Sequence, residues 1–232
     1  MGNGKCENFE GAAGQRYGRV MLILERAKRA ILRRVSPAER EFQRVWPLID
    51  SVEGYLVSPQ QEQWLFRTAR ALPEGANIVE VGSFKGRSTC SLGFGCRGAR
   101  KRVFAVDTFE GNEVDFSQRG FFAVFLRNVE RCGLTDYVTP LQGQSGEVAK
   151  AWDKPIHFLF IDGSHQFADV LADFRGFFPH VVPGGIVALH DLHETWPGPL
   201  RAWQECIRHE LTEVGYCSTL GYGRKPAGVP KL

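Results

Sequence analysis

From residue 77 onward the chain alternates short apolar runs with helical stretches, and that alternation admits few folds. The apolar runs fall at residues 78–81, 103–106, 138–141, 157–161 and 186–189. Helical patterns lie between them, near 86–95, 117–132, 145–152 and 166–179. Strands this short and this apolar are buried on both faces, and a helix between consecutive strands makes them parallel. The expectation is an α/β fold, a doubly wound, mostly parallel sheet with helices on both faces. A last helix is expected over 199–214, where Leu200, Trp203, Ile207 and Leu211 share a face. A terminal hairpin follows, with strands at 216–220 and 222–225 about Gly221.

Upstream, helices replace strands. Residues 1–15 are polar and glycine-rich, with mobility expected, and Cys6 stands where a myristoylation signal wants Ser or Thr. Residues 17–35 read as a basic amphipathic helix. Val20, Leu24, Ala27, Ile31 and Val35 form its apolar stripe, and Arg19, Arg26 and Arg33 line another side. Such a helix can lie on a membrane surface or partner; the plainer reading packs its stripe on the domain or on a second subunit. Ser36-Pro37-Ala38-Glu39 has the grammar of a capping box and starts a helix expected to end near Trp46-Pro47. Ser58-Pro59-Gln60-Gln61 repeats that grammar and opens a helix stopping at Pro73. The predicted organisation is an N-terminal helical extension over 1–52 and a single domain over 53–232.

Composition excludes several classes. With 43% hydrophobic and 24% charged residues, 232 residues can bury an ordinary core. No run approaches the roughly 18 apolar residues of a membrane span, and the N-terminus has no signal-peptide core. A net charge of +3 does not argue for nucleic acid. None of the six cysteines, Cys6, Cys90, Cys96, Cys132, Cys206 and Cys217, has zinc-ligand spacing, so a cytoplasmic, reducing location is expected.

The stretch Ile78-Val79-Glu80-Val81-Gly82-Ser83-Phe84-Lys85-Gly86-Arg87-Ser88-Thr89 runs from a buried strand through a glycine turn into a helix. Gly82 permits a tight turn and Gly86 a close ligand approach. The helix N-terminus offers free N–H groups to an anion. A dinucleotide fingerprint would need glycine where Phe84 and Arg87 stand, so a pyrophosphate ligand is disfavoured. S-adenosylmethionine (SAM) has no pyrophosphate but carries a zwitterionic amino-acid tail. The turn can hold its carboxylate, and Glu80 can offset its ammonium. Asp107 ends the second strand, roughly 20 residues beyond the turn, where an acid accepts ribose hydroxyls. Phe109 is expected against the adenine, and Gln144 and Ser145 at its edge.

The fourth and fifth strands end in Ile161-Asp162-Gly163-Ser164-His165 and in Leu189-His190-Asp191. Neighbouring strands lie about 4.8 Å apart, so Asp162 and Asp191 can face one cation. Two carboxylates and water suit Mg²⁺, which can orient an acceptor hydroxyl and lower its pKa. His165 can take the acceptor proton. Asp162 can instead contact SAM or cap a helix, and His190 can be a packed core residue.

The set IVEVGSFKGRST, VDTF, FIDGSH and PGGIVALHD resembles a group of class I SAM-dependent methyltransferases that includes the metal-dependent macrolide-sugar O-methyltransferases and relatives of the cephalosporin-biosynthesis protein. The resemblance covers roughly residues 53–225. It implies a Rossmann-like, seven-stranded sheet whose last strand is antiparallel. It carries SAM binding onto Glu80, Gly82, Ser83, Gly86 and Asp107, ligation of Mg²⁺ or another divalent cation onto Asp162 and Asp191, and general-base work onto His165. His190 stands where such members often have a carboxylate; imidazole is a poor match for Mg²⁺ and suits a softer ion. The acceptor implied is a hydroxyl-bearing small molecule, a sugar or natural product, lined by the N-terminal helices, the loop with Phe116, and residues 193–199 with Trp196. A homo-oligomer through the N-terminal helices is a further expectation. Other readings are a non-catalytic SAM-fold assembly protein, an NAD-dependent oxidoreductase, and methyl transfer to nitrogen or to a macromolecule.

Overall fold

The computed structural model of the chain describes residues 36–54, 58–111 and 120–228. The basic helix expected at 17–35, Cys6 and Phe116 lie outside the described residues. The chain divides into two units, residues 1–43 and 44–232. Within the second unit Ile49 and Val52 are fully covered, and Trp46 Nε1 donates to Glu62 Oε2 at 2.8 Å. The same anchors carry helix α1 (Pro37–Asp50) through Pro47, past its expected end. Helix α2 (Pro59–Ala71) starts on the predicted capping box, in which Ser58 and Gln61 satisfy each other's backbone N–H.

Then come β1 (Asn77–Val81), α3 (Arg87–Cys96), β2 (Arg102–Asp107), α4 (Phe122–Arg131), β3 (Val138–Gln142), α5 (Ser145–Lys150), β4 (Ile156–Ile161), α6 (Phe167–Phe177) and β5 (Val181–Leu189). The chain closes with α7 (Pro197–Glu205), β6 (Thr212–Cys217) and β7 (Leu220–Arg224). The seven strands form one sheet in the order β3-β2-β1-β4-β5-β7-β6. The first five run parallel; β7 is antiparallel to both β5 and β6. This is the Rossmann-like arrangement with an antiparallel C-terminal hairpin.

One element departs from the sequence pattern. The helix expected over 199–214 stops at Glu205, passes through a short 3-10 turn (Ile207–Glu210), and becomes strand β6 at Thr212. Leu200, Trp203, Ile207 and Leu211 keep helical spacing, yet Thr212, Val214 and Tyr216 favour a strand. The pairing of β6 with β7 prevails over the periodicity. The hairpin consequently starts earlier than expected.

One large cluster, built on strand residues such as Val79, Val106, Leu159, Ile161, Val187 and Leu189, packs against Phe174 and Phe177 of α6 and Trp203 of α7. Each such side chain contributes about 1.5–3 kcal/mol by leaving water. Cys90, Cys96 and Cys132 are also buried, as small apolar groups, and the described cysteines are all free thiols. Among the described residues no helix is long and apolar enough to cross a membrane.

Candidate functional site

The order β2-β1-β4-β5 sets four C-terminal strand tips side by side, and backbone bonds continue the ladder past each tip. Gly82 N donates to Val106 O (2.9 Å), Asp162 N to Val81 O (2.8 Å), and His190 N to Ile161 O (3.0 Å). Asp107, Gly82, Asp162, His190 and Asp191 thus follow one another along one edge of the sheet. In such sheets ligands bind outside that edge.

The glycine turn is held from two sides. Gly82 has φ +86°, and a Cβ there would sit 2.5 Å from Gly163 Cα, so the first turn packs directly on the backbone after Asp162. Asp107 holds it from the other side: Oδ2 accepts from Ser83 N (2.7 Å) and Phe84 N (2.8 Å), and Oδ1 accepts from Phe109 N (2.7 Å). Asp107 thus shapes the turn through both of its carboxylate oxygens. Gly86 (φ +92°) ends the turn, and α3 begins without any side-chain cap, leaving its first N–H groups to a ligand.

Glu80 lies beneath this turn, fully buried. Its Oε2 accepts from Ser83 Oγ (3.0 Å) and Thr89 Oγ1, while Oε1 has no partner. Burial outweighs the hydroxyls of Ser88, Thr89 and Ser83 and pushes its pKa up to about 7. An orphaned buried carboxylate oxygen fits a cationic group such as an ammonium.

Two further expectations change. Phe109 is 1% exposed and packs its ring between Phe122 and Phe125 at 4.9 Å from each, so it belongs to the core and not to a base-stacking surface. Gln144 is exposed at the start of α5, whereas Ser145 Oγ turns away to donate to Asp173 Oδ1. A link survives between that loop and the site: Gly143 N donates to Asp107 O at 2.9 Å.

Asp162, His165, His190 and Asp191 come together on the other half of the edge. His165 Nε2 lies 3.0 Å from Asp191 Oδ2, and the imidazole stacks on Trp196 with ring centroids 3.8 Å apart and planes 17° apart. His190 Nδ1 lies 3.0 Å from Asp162 Oδ1 and 3.1 Å from Asp191 Oδ1. Neither oxygen meets hydrogen-bond geometry, so both ring nitrogens of this buried histidine lack a partner. Burial disfavours the His190 cation, but the two carboxylates outweigh it and raise its pKa to about 10. Burial likewise works to raise Asp191, yet His165 and His190 hold it well below the usual carboxylate range. Asp191 itself has φ +60°, a left-handed conformation rare outside glycine.

Asp162, His190 and Asp191 each offer one ligand atom, all within 4.8 Å of one another. Two carboxylates and an unpartnered imidazole fit a divalent cation. Sequence reasoning missed the stack of Trp196 on His165, the use of Thr89 to bind Glu80, and the clamp at the start of α3. There Arg87 Nε donates to Glu62 Oε1 (2.5 Å) and Nη2 to Asp50 Oδ1 (2.8 Å). Arg87 was visible only as a residue that breaks the dinucleotide pattern.

Residues 79–192 match a family model described as a methyltransferase domain. Among solved structures, the O-methyltransferase NovP superposes with a TM-score of 0.60 at 16% identity, over 73% of this chain and 81% of that one. An O-methyltransferase from Bacillus cereus, in complex with SAH, gives 0.57 at 20% identity, over 80% and 91%. TomG, an O-methyltransferase from Streptomyces achromogenes involved in tomaymycin synthesis and solved in complex with SAM, gives 0.55 at 17% identity, over 73% and 82%. At these identities the likeness is one of fold.

Proposed function

From the match of residues 79–192 to a methyltransferase domain, we propose that the chain is a class I SAM-dependent methyltransferase that transfers the methyl group to the oxygen of a small-molecule hydroxyl. The observation that carries this reading is the pairing of His165 with Asp191 beside the glycine turn, on one sheet edge. The O-methyltransferases NovP and TomG share the fold and support the choice of oxygen as acceptor.

Methyl transfer from a sulfonium asks little covalent work of a protein. Donor sulfur, methyl and acceptor must align with the reacting atoms about 3–3.5 Å apart, and the acceptor must lose its proton. In this reading the turn at Gly82–Gly86 receives the donor's carboxylate, Glu80 faces its ammonium, and Asp107 keeps the turn in shape beside the ribose. Asp191 accepts from His165 Nε2–H, which fixes the tautomer and leaves Nδ1 as the proton acceptor. Trp196 keeps the imidazole plane in place. A divalent cation held by Asp162, Asp191 and His190 would supply Lewis acidity, lowering the pKa of the acceptor hydroxyl.

Calorimetry with SAM, followed by transfer assays on hydroxyl-bearing acceptors, tests the reading. SAM binding with turnover on hydroxyls is expected. Turnover confined to amines would move the reaction to nitrogen, and SAM binding without turnover on any acceptor would favour an assembly role.

A further inference from the structure

The cluster of Asp162, His190 and Asp191 leaves the ring nitrogens of His190 without a hydrogen bond at its centre. Two carboxylate oxygens and an imidazole nitrogen approach to 3.0–3.1 Å without hydrogen-bond geometry. His190 is 1% exposed, so no bulk water relieves it. An unpartnered buried polar atom costs about 1–3 kcal/mol. Neighbouring carboxylates repel, and without an ion the charge set against them is the His190 imidazolium. A proton on Nδ1 can point at one oxygen only, and neither is in line; an ion at the common centre serves all three atoms at once.

The surrounding backbone is shaped for this. Asp191 adopts φ +60° immediately after β5, in the left-handed region that Asp enters more readily than other side chains. That turn lets one carboxylate serve two directions, with Oδ1 toward His190 and Oδ2 toward His165. Asp162 N bonds Val81 O and His190 N bonds Ile161 O, so both backbones are fixed by the sheet rather than by a loop.

The donor set then selects the ion. Two carboxylates neutralise two positive charges. The third donor is nitrogen, and Mg²⁺ takes oxygen ligands and gives up its waters reluctantly. Imidazole ligation is favoured by the later first-row ions, with affinity rising from Mn²⁺ toward Cu²⁺. We infer that this centre binds a first-row transition ion through His190 Nδ1 and discriminates against Mg²⁺, with His190 as the residue that sets the choice. The inference shares its site with the methyl-transfer reading and rests on it for what the ion does, but the ion preference is read without turnover.

The test uses the full chain stripped with chelator and titrated by calorimetry with Co²⁺ or Mg²⁺ as probes, together with the visible spectrum of the Co²⁺ form. One equivalent of Co²⁺ is expected to bind on the order of 100-fold more tightly than Mg²⁺. His190→Asp should bring that ratio below about 10 by restoring an all-oxygen set, and should change the Co²⁺ spectrum. Should His190→Asp fail to fold, the wild-type ratio and the milder His190→Gln still decide the matter, because His190→Gln also removes the nitrogen donor. Equal affinities in the wild type, an unchanged ratio in a folded variant, or no bound ion at all would each overturn the inference. SAM titration of the stripped protein separates the failures. Retained SAM binding without ion preference removes the ion alone, whereas absent SAM binding removes the methyl-transfer reading.

Discussion

Gly82→Ala tests whether the glycine turn is held by packing against the Asp162 backbone or merely by a left-handed φ. A Cβ at Gly82 would run into Asp162 O and sit 2.5 Å from both Asp162 C and Gly163 Cα, all main-chain atoms of a neighbouring strand end. None of them can rotate away as a side chain would. The φ of +86° adds a conformational cost of about 1–2 kcal/mol for any L-residue. Forcing atoms into a packed region adds about 1–3 kcal/mol. The sum is about 2–5 kcal/mol. Gly98→Ala is the matched control: its φ is +75°, and nothing lies within 4 Å of the added atom. It should therefore lose only the first contribution. Urea unfolding of both variants measures the difference, and calorimetry with SAM reads the site. Gly82→Ala should unfold more easily than Gly98→Ala by about 1–3 kcal/mol and bind SAM at least about 10-fold more weakly. Equal destabilisation of the two variants, with SAM affinity intact in both, would refute the packing argument.

Asp107→Ala leaves the N–H groups of Ser83, Phe84 and Phe109 without their acceptor; SAM affinity should fall by about 10- to 100-fold, because hydrogen bonds to a charged group are worth about 1.5–3 kcal/mol, and unchanged calorimetry would remove Asp107 from the site. Glu80 is protonated more readily folded than unfolded, its pKa rising from 4.5 to about 7. The folded state then holds the extra proton between those values, so stability falls as pH rises from about 4.5 to 7, by about 3 kcal/mol at most. Glu80→Gln should flatten that slope in urea unfolding at pH 5 and pH 7.5; an identical slope in both proteins would assign it elsewhere. His165→Ala should lower turnover by about 10²- to 10⁴-fold while SAM affinity stays within about twofold, and a rate equal to wild type would acquit His165 as base.

The parallel strands were legible because each is short, apolar and bounded by a turn, and burial on both faces leaves no other use for such a run. The strand-tip residues were legible for a related reason: an acid or glycine directly after an apolar run has few explanations in a buried sheet. Asp107, Gly82, Asp162 and Asp191 are cases in point. What failed was the direction of side chains. The spacing of Phe109 puts it at a strand tip, but only its left-handed φ of +57° shows why the ring turns into the cluster with Phe122 and Phe125. Helical spacing at Leu200, Trp203, Ile207 and Leu211 hid strand β6, because periodicity does not report the partner strand that captures Thr212–Cys217. The stack of Trp196 on His165 joins residues from the loops after β4 and β5 and leaves no local pattern.

Positive-φ residues outside glycine cluster at the site's edge of the sheet. Among the described residues, Phe84 (φ 45°), Phe109 (φ 57°) and Asp191 (φ 60°) each lie just beyond the C-terminal end of β1, β2 or β5. Glu213 and Ser218, the others outside glycine, sit in the terminal hairpin. A left-handed non-glycine costs about 1–2 kcal/mol, and strands needing only to connect to helices have glycine available. The three at the site instead redirect the chain where Asp107 must receive the turn's N–H groups and Asp191 must face two histidines. Strain of this kind persists only where surrounding contacts over-determine it. Those contacts are present: Phe84 N donates to Asp107 Oδ2, Phe109 N to Asp107 Oδ1, and His165 Nε2 pairs with Asp191 Oδ2. The sheet thus concentrates its backbone strain at one edge, where the acidic tips, the glycine turn and the paired histidines meet.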